Sequence, residues 1–349
     1  MAEGRSGVDE GRVVPWLEAN VRGFQGPASF TLIAGGHSNL TYGVTDANDA
    51  RYVLRRPPLG HVLESAHDMG REHKIIAALG PTAVPVPPAL AFCDDTSVND
   101  APFYVMGFVD GHIVRTADVA RSKLTVEQRR TAGESLIDVM ADMHAVDVDA
   151  VGLGDLGRKE GYIERQLKRW YKQVKGSQEL TKRELPDVDH VHDILASQVP
   201  EQGPAAIVHG DYRLDNCMIG HDGRVAAVLD WELCTLGDPM ADVGLLMVYW
   251  NDPDDLSQAL VTASATTVEG FPRRAELLAR YAERSGRDLS KVDYYVAFGY
   301  WKLACILEGV YARYQAGVMG SAEPAAIEGF RSNVERLASS ARAAAERVS

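Results

Sequence analysis

The strongest constraint on the fold is a change of periodicity along the chain. Short runs rich in Val, Tyr, Thr and Phe, at residues 30–34, 40–45 and 51–55, are separated by Gly, Asn and Asp and read as strands. Residues 65–79 read as a helix. A proline-rich connection at 84–88 leads to further strands at 89–93 and 103–108. Beyond Gly111 the apolar spacing turns helical, most clearly at 127–145, 162–174, 188–198, 240–249 and 294–314. This order predicts an α+β chain with a small antiparallel sheet first and a larger, mainly helical part second. The division runs as an N-terminal extension with a short helix at 1–27, a sheet lobe at 28–110 and a helical lobe at 111–349. The first dozen residues, and the alanine-rich end after Ser339, are expected to fray.

Within the helical part, His209 to Asn216 read HGDYRLDN, and Asp230 follows in VLDWE. Phosphoryl transfer needs a carboxylate beside the attacking hydroxyl and oxygen ligands for the Mg²⁺ that offsets the phosphate charge. Asp211 fits the first role; Asn216 and Asp230 fit the second. Asp222 and Gly223 separate two apolar runs and suit a two-residue hairpin turn. With those residues at the turn centre, Asn216 lies opposite Leu229, one residue from Asp230. Both proposed ligands then meet at the open end, as hard oxygen donors suited to Mg²⁺.

Composition excludes several classes. The formal net charge of -13 and pI near 5.2 argue against nucleic acid or an anionic membrane as partner, since both reward basic surfaces. No run approaches the roughly eighteen consecutive apolar residues of a membrane span. The first residues, MAEGRSGVDEGR, lack a signal-peptide apolar region, so a cytoplasmic location is expected. Cys93, Cys217, Cys234 and Cys305 show no metal-ligand or disulfide spacing and suit buried positions.

Gly35, Gly36, His37, Ser38 and Asn39 occupy the turn between the first two strands, where backbone N–H groups can approach phosphates. Arg55 closes YVLR where a kinase strand carries its lysine, and Glu72 falls where the next helix carries the ion-pair partner. Arg56 is a rival for the same role. Arginine is a departure, because its planar fork binds phosphate bidentately whereas an ammonium is a point charge.

Taken together, GGHSNLTY, YVLRRPP, PFYVMGFVDG, HGDYRLDN and LDWELCTLGDP resemble the aminoglycoside phosphotransferase and choline kinase superfamily. Within it they are most similar to the branch fused to acyl-CoA dehydrogenases in animals. The resemblance implies a two-lobed, protein-kinase-like fold and ATP- and Mg²⁺-dependent phosphorylation of a small-molecule hydroxyl. It implies that backbone groups near Gly107, Phe108 and Val109 hold the adenine. It also implies that Arg213 touches the transferred group and that Asp242 ties down the catalytic loop.

His209 is expected to anchor the loop rather than titrate, and Asp238 with Pro239 to start a helix. Glu232, Tyr295, Trp301 and Glu308 are candidates for the acceptor site. The acceptor itself stays open between hydroxyacyl-CoA-like and aminoglycoside-like molecules. The short segment between Asp230 and Asp242 leaves no room for a peptide-holding loop. The alternative to an enzyme is a nucleotide-binding pseudokinase acting as an interaction module.

Overall fold

The computed structural model describes residues 7–34, 39–59, 68–255, 264–318 and 323–348, and the structural statements concern those residues. The chain divides into two units, Met1–Gly111 with Ala226–Glu232, and His112–Val225 with Leu233–Ser349. The first is a small antiparallel sheet with helices; the second is mainly helical.

In the first unit, α1 (Glu10–Asn20) precedes β1 (Ser29–Ala34), β2 (Leu40–Thr45) and β3 (Arg51–Arg56). Then come α2 (Met69–Leu79), β4 (Ala89–Cys93), α3 (Thr96–Asn99) and β5 (Phe103–Gly107). The sheet runs β1-β2-β3-β5-β4 with every neighbour antiparallel. Successive strand residues point to opposite faces, so β3 sends Leu54 and Arg55 in opposite directions. Leu54 enters a core with Val13 and Leu17 of α1, Val21, Phe24, Tyr42, Val44, Phe103 and Val105. Burying Leu17 or Leu54 contributes about 1.5–3 kcal/mol each, so α1 is a structural layer of this unit. Arg55 faces the other side, where α2 buries Met69, Glu72, Ile75, Ile76 and Leu79. Glu72 is thus a carboxylate on an apolar stripe and needs a partner there. Asp68 caps α2 by accepting the Arg71 N–H at 2.9 Å. The expected start of this helix at Ser65 lies outside the described residues.

The second unit contains α4 (Ala117–Lys123), α5 (Val126–His144), α6 (Tyr162–Thr181), α7 (Pro186–Ser197), α8 (Met240–Tyr249), α9 (Arg274–Ser285), α10 (Val292–Gln315) and α11 (Pro324–Ala345). Along the chain between α7 and α8 lie β6 (Ala206–Val208), β7 (Cys217–Ile219), β8 (Val225–Val228), which from Ala226 on belongs to the first unit, and β9 (Thr235–Gly237). α5 starts from a capping box of Thr125 and Gln128. α10 packs against α6, α7, α8 and α11, which explains why it is apolar on nearly every side. No described helix is long and apolar enough to cross a membrane.

Two expectations are corrected here. The alanine-rich end does not fray: α11 continues to Ala345, and Val334, Leu337, Ala338, Ala341, Ala344 and Ala345 are buried at helical spacing. Alanine is the best helix former, and its small side chain lets α11 lie close to α10. The turn at Asp222 and Gly223 is a three-residue loop rather than a two-residue one. Gly220 N–H donates to the Arg224 carbonyl at 2.8 Å, and Gly223 N–H to the Gly220 carbonyl at 2.9 Å. Gly223 has φ 83°, the left-handed conformation such loops require. The hairpin therefore closes one residue out of the expected register.

Candidate active site

In the first unit the charged residues gather around Arg55. Its Nε lies 3.2 Å from Glu72 Oε2. Its Nη2 lies 2.5 Å from Asp230 Oδ1 and 3.8 Å from Glu232 Oε2. Glu72 is 2% exposed, and both its oxygens are engaged. Tyr104 O–H donates to Oε2 at 3.0 Å, and Asn39 Nδ2 donates to Oε1 at 2.8 Å. The same Asn39 amide reaches Glu232 Oε2 at 3.2 Å. β-Sheet register explains part of this: Arg55 pairs directly with Tyr104 on β5. Burial works against the Arg55 charge, but Glu72, Tyr104 and Asp230 overcome it and hold the guanidinium more firmly protonated. Burial raises Glu72 above the ordinary carboxylate range, against the pull of Arg55 and Tyr104. Arg56 is not a competitor. Its guanidinium is spent on the carbonyls of Gly7, Asn99 and Pro57. Asp230 has φ 65°, a costly backbone for a residue with a side chain.

In the second unit, β6 pairs with β9 from Ala206↔Gly237 to Val208↔Thr235. One strand runs into His209 and the other into Asp238, so this ribbon fixes both the loop at 209–216 and the start of α8. Asp242, in the first turn of α8, accepts the His209 N–H at 2.6 Å and the Gly210 N–H at 2.9 Å. Gly210 has φ 84°, and a Cβ there would lie 3.0 Å from the Leu233 carbonyl oxygen, so only glycine fits. Asp211 N–H donates to His209 Nδ1 at 3.3 Å, and His209 is buried.

Asp211 itself stays partly open, with 24% of its side chain exposed. Asn216 Nδ2 donates to the Asp211 carbonyl and to Asp211 Oδ2, both at 2.9 Å. Arg213 Nε lies 3.4 Å from Asp211 Oδ2 and 3.1 Å from Asp215 Oδ1, with its guanidinium 4.8 Å over the Tyr249 ring. Burial pushes the Asp211 carboxyl above its usual value, against the pull of Arg213, His209, Asn216 and Lys302. For Asp242 burial acts the same way, but His144, His209 and the Gly210 N–H outweigh it and hold the group below the ordinary range. His144 Nε2 sits 3.5 Å from Asp242 Oδ2, and its Nδ1 is 2.7 Å from the Tyr281 hydroxyl.

Each unit by itself presents side chains whose chemistry suits a divalent cation or a phosphate. The Asn216 amide nitrogen donates to two oxygens of Asp211, and the oxygen of such an amide is an acceptor only. Asp230 supplies a carboxylate, and Arg55 supplies a firmly charged fork. Oxygen donors of this kind are what Mg²⁺ takes, with the balance from phosphate and water.

Other expectations resolve differently. Gly35, Gly36, His37 and Ser38 lie outside the described residues. Gly107 N–H is already taken by the Pro88 carbonyl at 2.8 Å, and the Phe108 ring carries the Arg51 guanidinium at 3.5 Å. Glu232 belongs to the Arg55 cluster. Tyr295, Trp301 and Glu308 are corrected: all three are buried structural residues. Tyr295 O–H donates to Asp238 Oδ2 at 2.6 Å, and Trp301 Nε1–H to the Val188 carbonyl at 3.0 Å. Glu308 accepts from Thr181 Oγ1 at 2.6 Å and Arg183 Nη1 at 2.9 Å. The sequence reading missed the pairing of Tyr104 with Glu72 and the parts played by His144 and Lys302. Lys302 on α10 donates to the Gly210 carbonyl at 3.1 Å.

The profile of the phosphotransferase enzyme family matches residues 29–288. Among curated proteins, the chain is 34% identical over 335 residues to an acyl-CoA dehydrogenase of Arabidopsis thaliana, IBR3. That match covers 90% of this chain and 40% of the relative, so the chain spans about two fifths of the protein it resembles. Among solved structures, a Ralstonia eutropha protein provisionally assigned as an aminoglycoside phosphotransferase matches with TM-score 0.82 and 32% identity. It covers 98% of this chain and 99% of the other. A complex of APH(2'')-IIa with streptomycin and ATP matches with TM-score 0.58 and 14% identity, over 86% of this chain and 90% of that one. At that identity the likeness concerns the fold alone, which is kinase-like.

Proposed function

Because the chain belongs to the phosphotransferase enzyme family, we propose that it transfers the γ-phosphoryl group of ATP to a hydroxyl of a small molecule. Asp211 orients that hydroxyl and accepts its proton. Asn216 and Asp230 are the protein ligands of Mg²⁺, which when bound offsets phosphate charge. Arg55, steadied by Glu72, and Arg213 counter the remaining negative charge. His209 and Asp242 hold the loop. The phosphate contacts expected of Gly35, Gly36 and Ser38, and the adenine contacts of Phe108 and Val109, complete the reading.

The observation that carries it is the pinned Asn216 amide. An asparagine five residues after the base has its nitrogen on two oxygens of Asp211, so the amide oxygen is the part of that side chain suited to a cation.

For the acceptor, the proteins matched include acyl-CoA dehydrogenases and aminoglycoside phosphotransferases, so hydroxyacyl-CoA-like and aminoglycoside-like molecules are the two classes to separate. Lys168, Arg169 and Lys172 on the exposed side of α6 favour the first, because a CoA ester carries phosphates and an aminoglycoside carries ammonium groups.

The test is a panel of aminoglycosides, choline and 3- and 4-hydroxyacyl-CoAs, scored for ADP release with and without Mg²⁺. Mg²⁺-dependent release with a CoA ester is the expected result. ATP binding with no transfer to any member would instead favour a nucleotide-binding interaction module.

A further inference from the structure

Lys302 is a buried lysine in the middle of α10. It sits between Trp301 and Leu303 on α10 and is 7% exposed. A buried ammonium is costly unless it is paired and hydrogen-bonded, so its retention there asks for a reason. Its Nζ donates to the Gly210 carbonyl at 3.1 Å. The charged groups acting on it are Asp242 from α8, Asp211 from the catalytic loop and Arg169 from α6.

Gly210 is held at both ends. Asp242 takes its N–H at 2.9 Å, and Lys302 takes its carbonyl at 3.1 Å. The Gly210 carbonyl and the Asp211 N–H belong to one planar peptide. Fixing that oxygen, with the Asp211 N–H on His209 Nδ1, sets the peptide plane from which the Asp211 side chain departs. The left-handed conformation of Gly210 makes this plane the one most in need of restraint.

We infer that Lys302 is a positioning residue for phosphoryl transfer, which aims Asp211 by holding the Gly210 carbonyl from below the loop. The inference rests on the proposed function. Lys302 is buried and bonds the loop backbone, so its removal should act on turnover and spare binding. Misplacing a reacting group by about 1 Å can cost on the order of 10²-fold.

The experiment uses the full chain with MgATP alone, water serving as the acceptor, together with calorimetric MgATP binding and thermal melting. Lys302→Met is expected to lower kcat by about 10- to 10²-fold, with KM and Kd for MgATP within about twofold of wild type. Lys302→Gln keeps a donor without the charge and is expected to fall less, about threefold. A purely structural lysine would lower the melting temperature and leave kcat per folded molecule unchanged; that result overturns the inference. If the Met variant does not fold, the Gln variant decides: a lower kcat at unchanged Kd supports the inference, and an unchanged kcat overturns it. No phosphoryl transfer by the wild-type chain, to water or to any acceptor, would end the proposed function and this inference with it. Normal wild-type transfer with an unaffected Met variant would end the inference alone.

Discussion

The Arg55 cluster and the loop around Asp211 are built on opposite plans. Around Arg55, side chains from separate elements hold one another, and one guanidinium faces the three carboxylates of Glu72, Asp230 and Glu232. Around Asp211, the backbone is held instead: Asp242 takes two consecutive N–H groups, Lys302 a carbonyl, and His209 a third N–H. The first plan leaves negative charge in excess, and under the proposed function a cation and phosphates would re-partner its members. The second is complete as it stands. The difference teaches where substitutions should act: on ligand binding in the cluster, and on folding or turnover in the loop.

The largest expected effect is in the cluster. Asp230→Ala should abolish Mg²⁺-dependent ATP binding by calorimetry while leaving thermal unfolding close to wild type. Unchanged binding would break the comparison, because Asp230 would then be only a counter-ion for Arg55. In the loop, Asp242→Ala should cost stability, about 3–5 kcal/mol, since it strands two buried N–H groups and removes the charge facing His144. Denaturant unfolding measures this, and a loss below about 1 kcal/mol would show that the loop holds itself. The smallest effect is one of pH. Burial lowers the His144 pKa against the pull of Asp242, so the unfolded chain takes up this proton first as pH falls below about 6.5. The folded state accordingly loses stability from about pH 6.5 down to the folded pKa, by at most about 1.4 kcal/mol per pH unit. His144→Gln should remove that slope in unfolding free energies measured from pH 7 to 5. An identical slope in the variant would assign the dependence to other groups.

Legibility followed sequence separation. Asp211 and Asn216 are five residues apart, so their relation is written in one short motif. The strands and most helices were readable because alternation and helical spacing are local. Arg55 and Asp230 lie 175 residues apart, and Lys302 and Gly210 lie 92 apart, and no local pattern announces such a meeting. Tyr295 and Trp301 misled for a related reason. An aromatic with a polar tip reads as a pocket residue, yet each finds its acceptor inside the helical core, at Asp238 and at the Val188 carbonyl. Glu308 was singled out for being polar in an apolar run, and the cause is a buried pairing with Arg183 and Thr181. The hairpin register failed by one residue, because an Asp-Gly pair serves a three-residue loop as well as a two-residue turn.

The most direct test of the account is a single variant measured two ways. Asp211→Ala, with MgATP and the acceptor that the panel identifies, should bind MgATP as wild type does by calorimetry and turn over about 10² to 10⁴-fold more slowly. Wild-type turnover in a folded Asp211→Ala protein would contradict it.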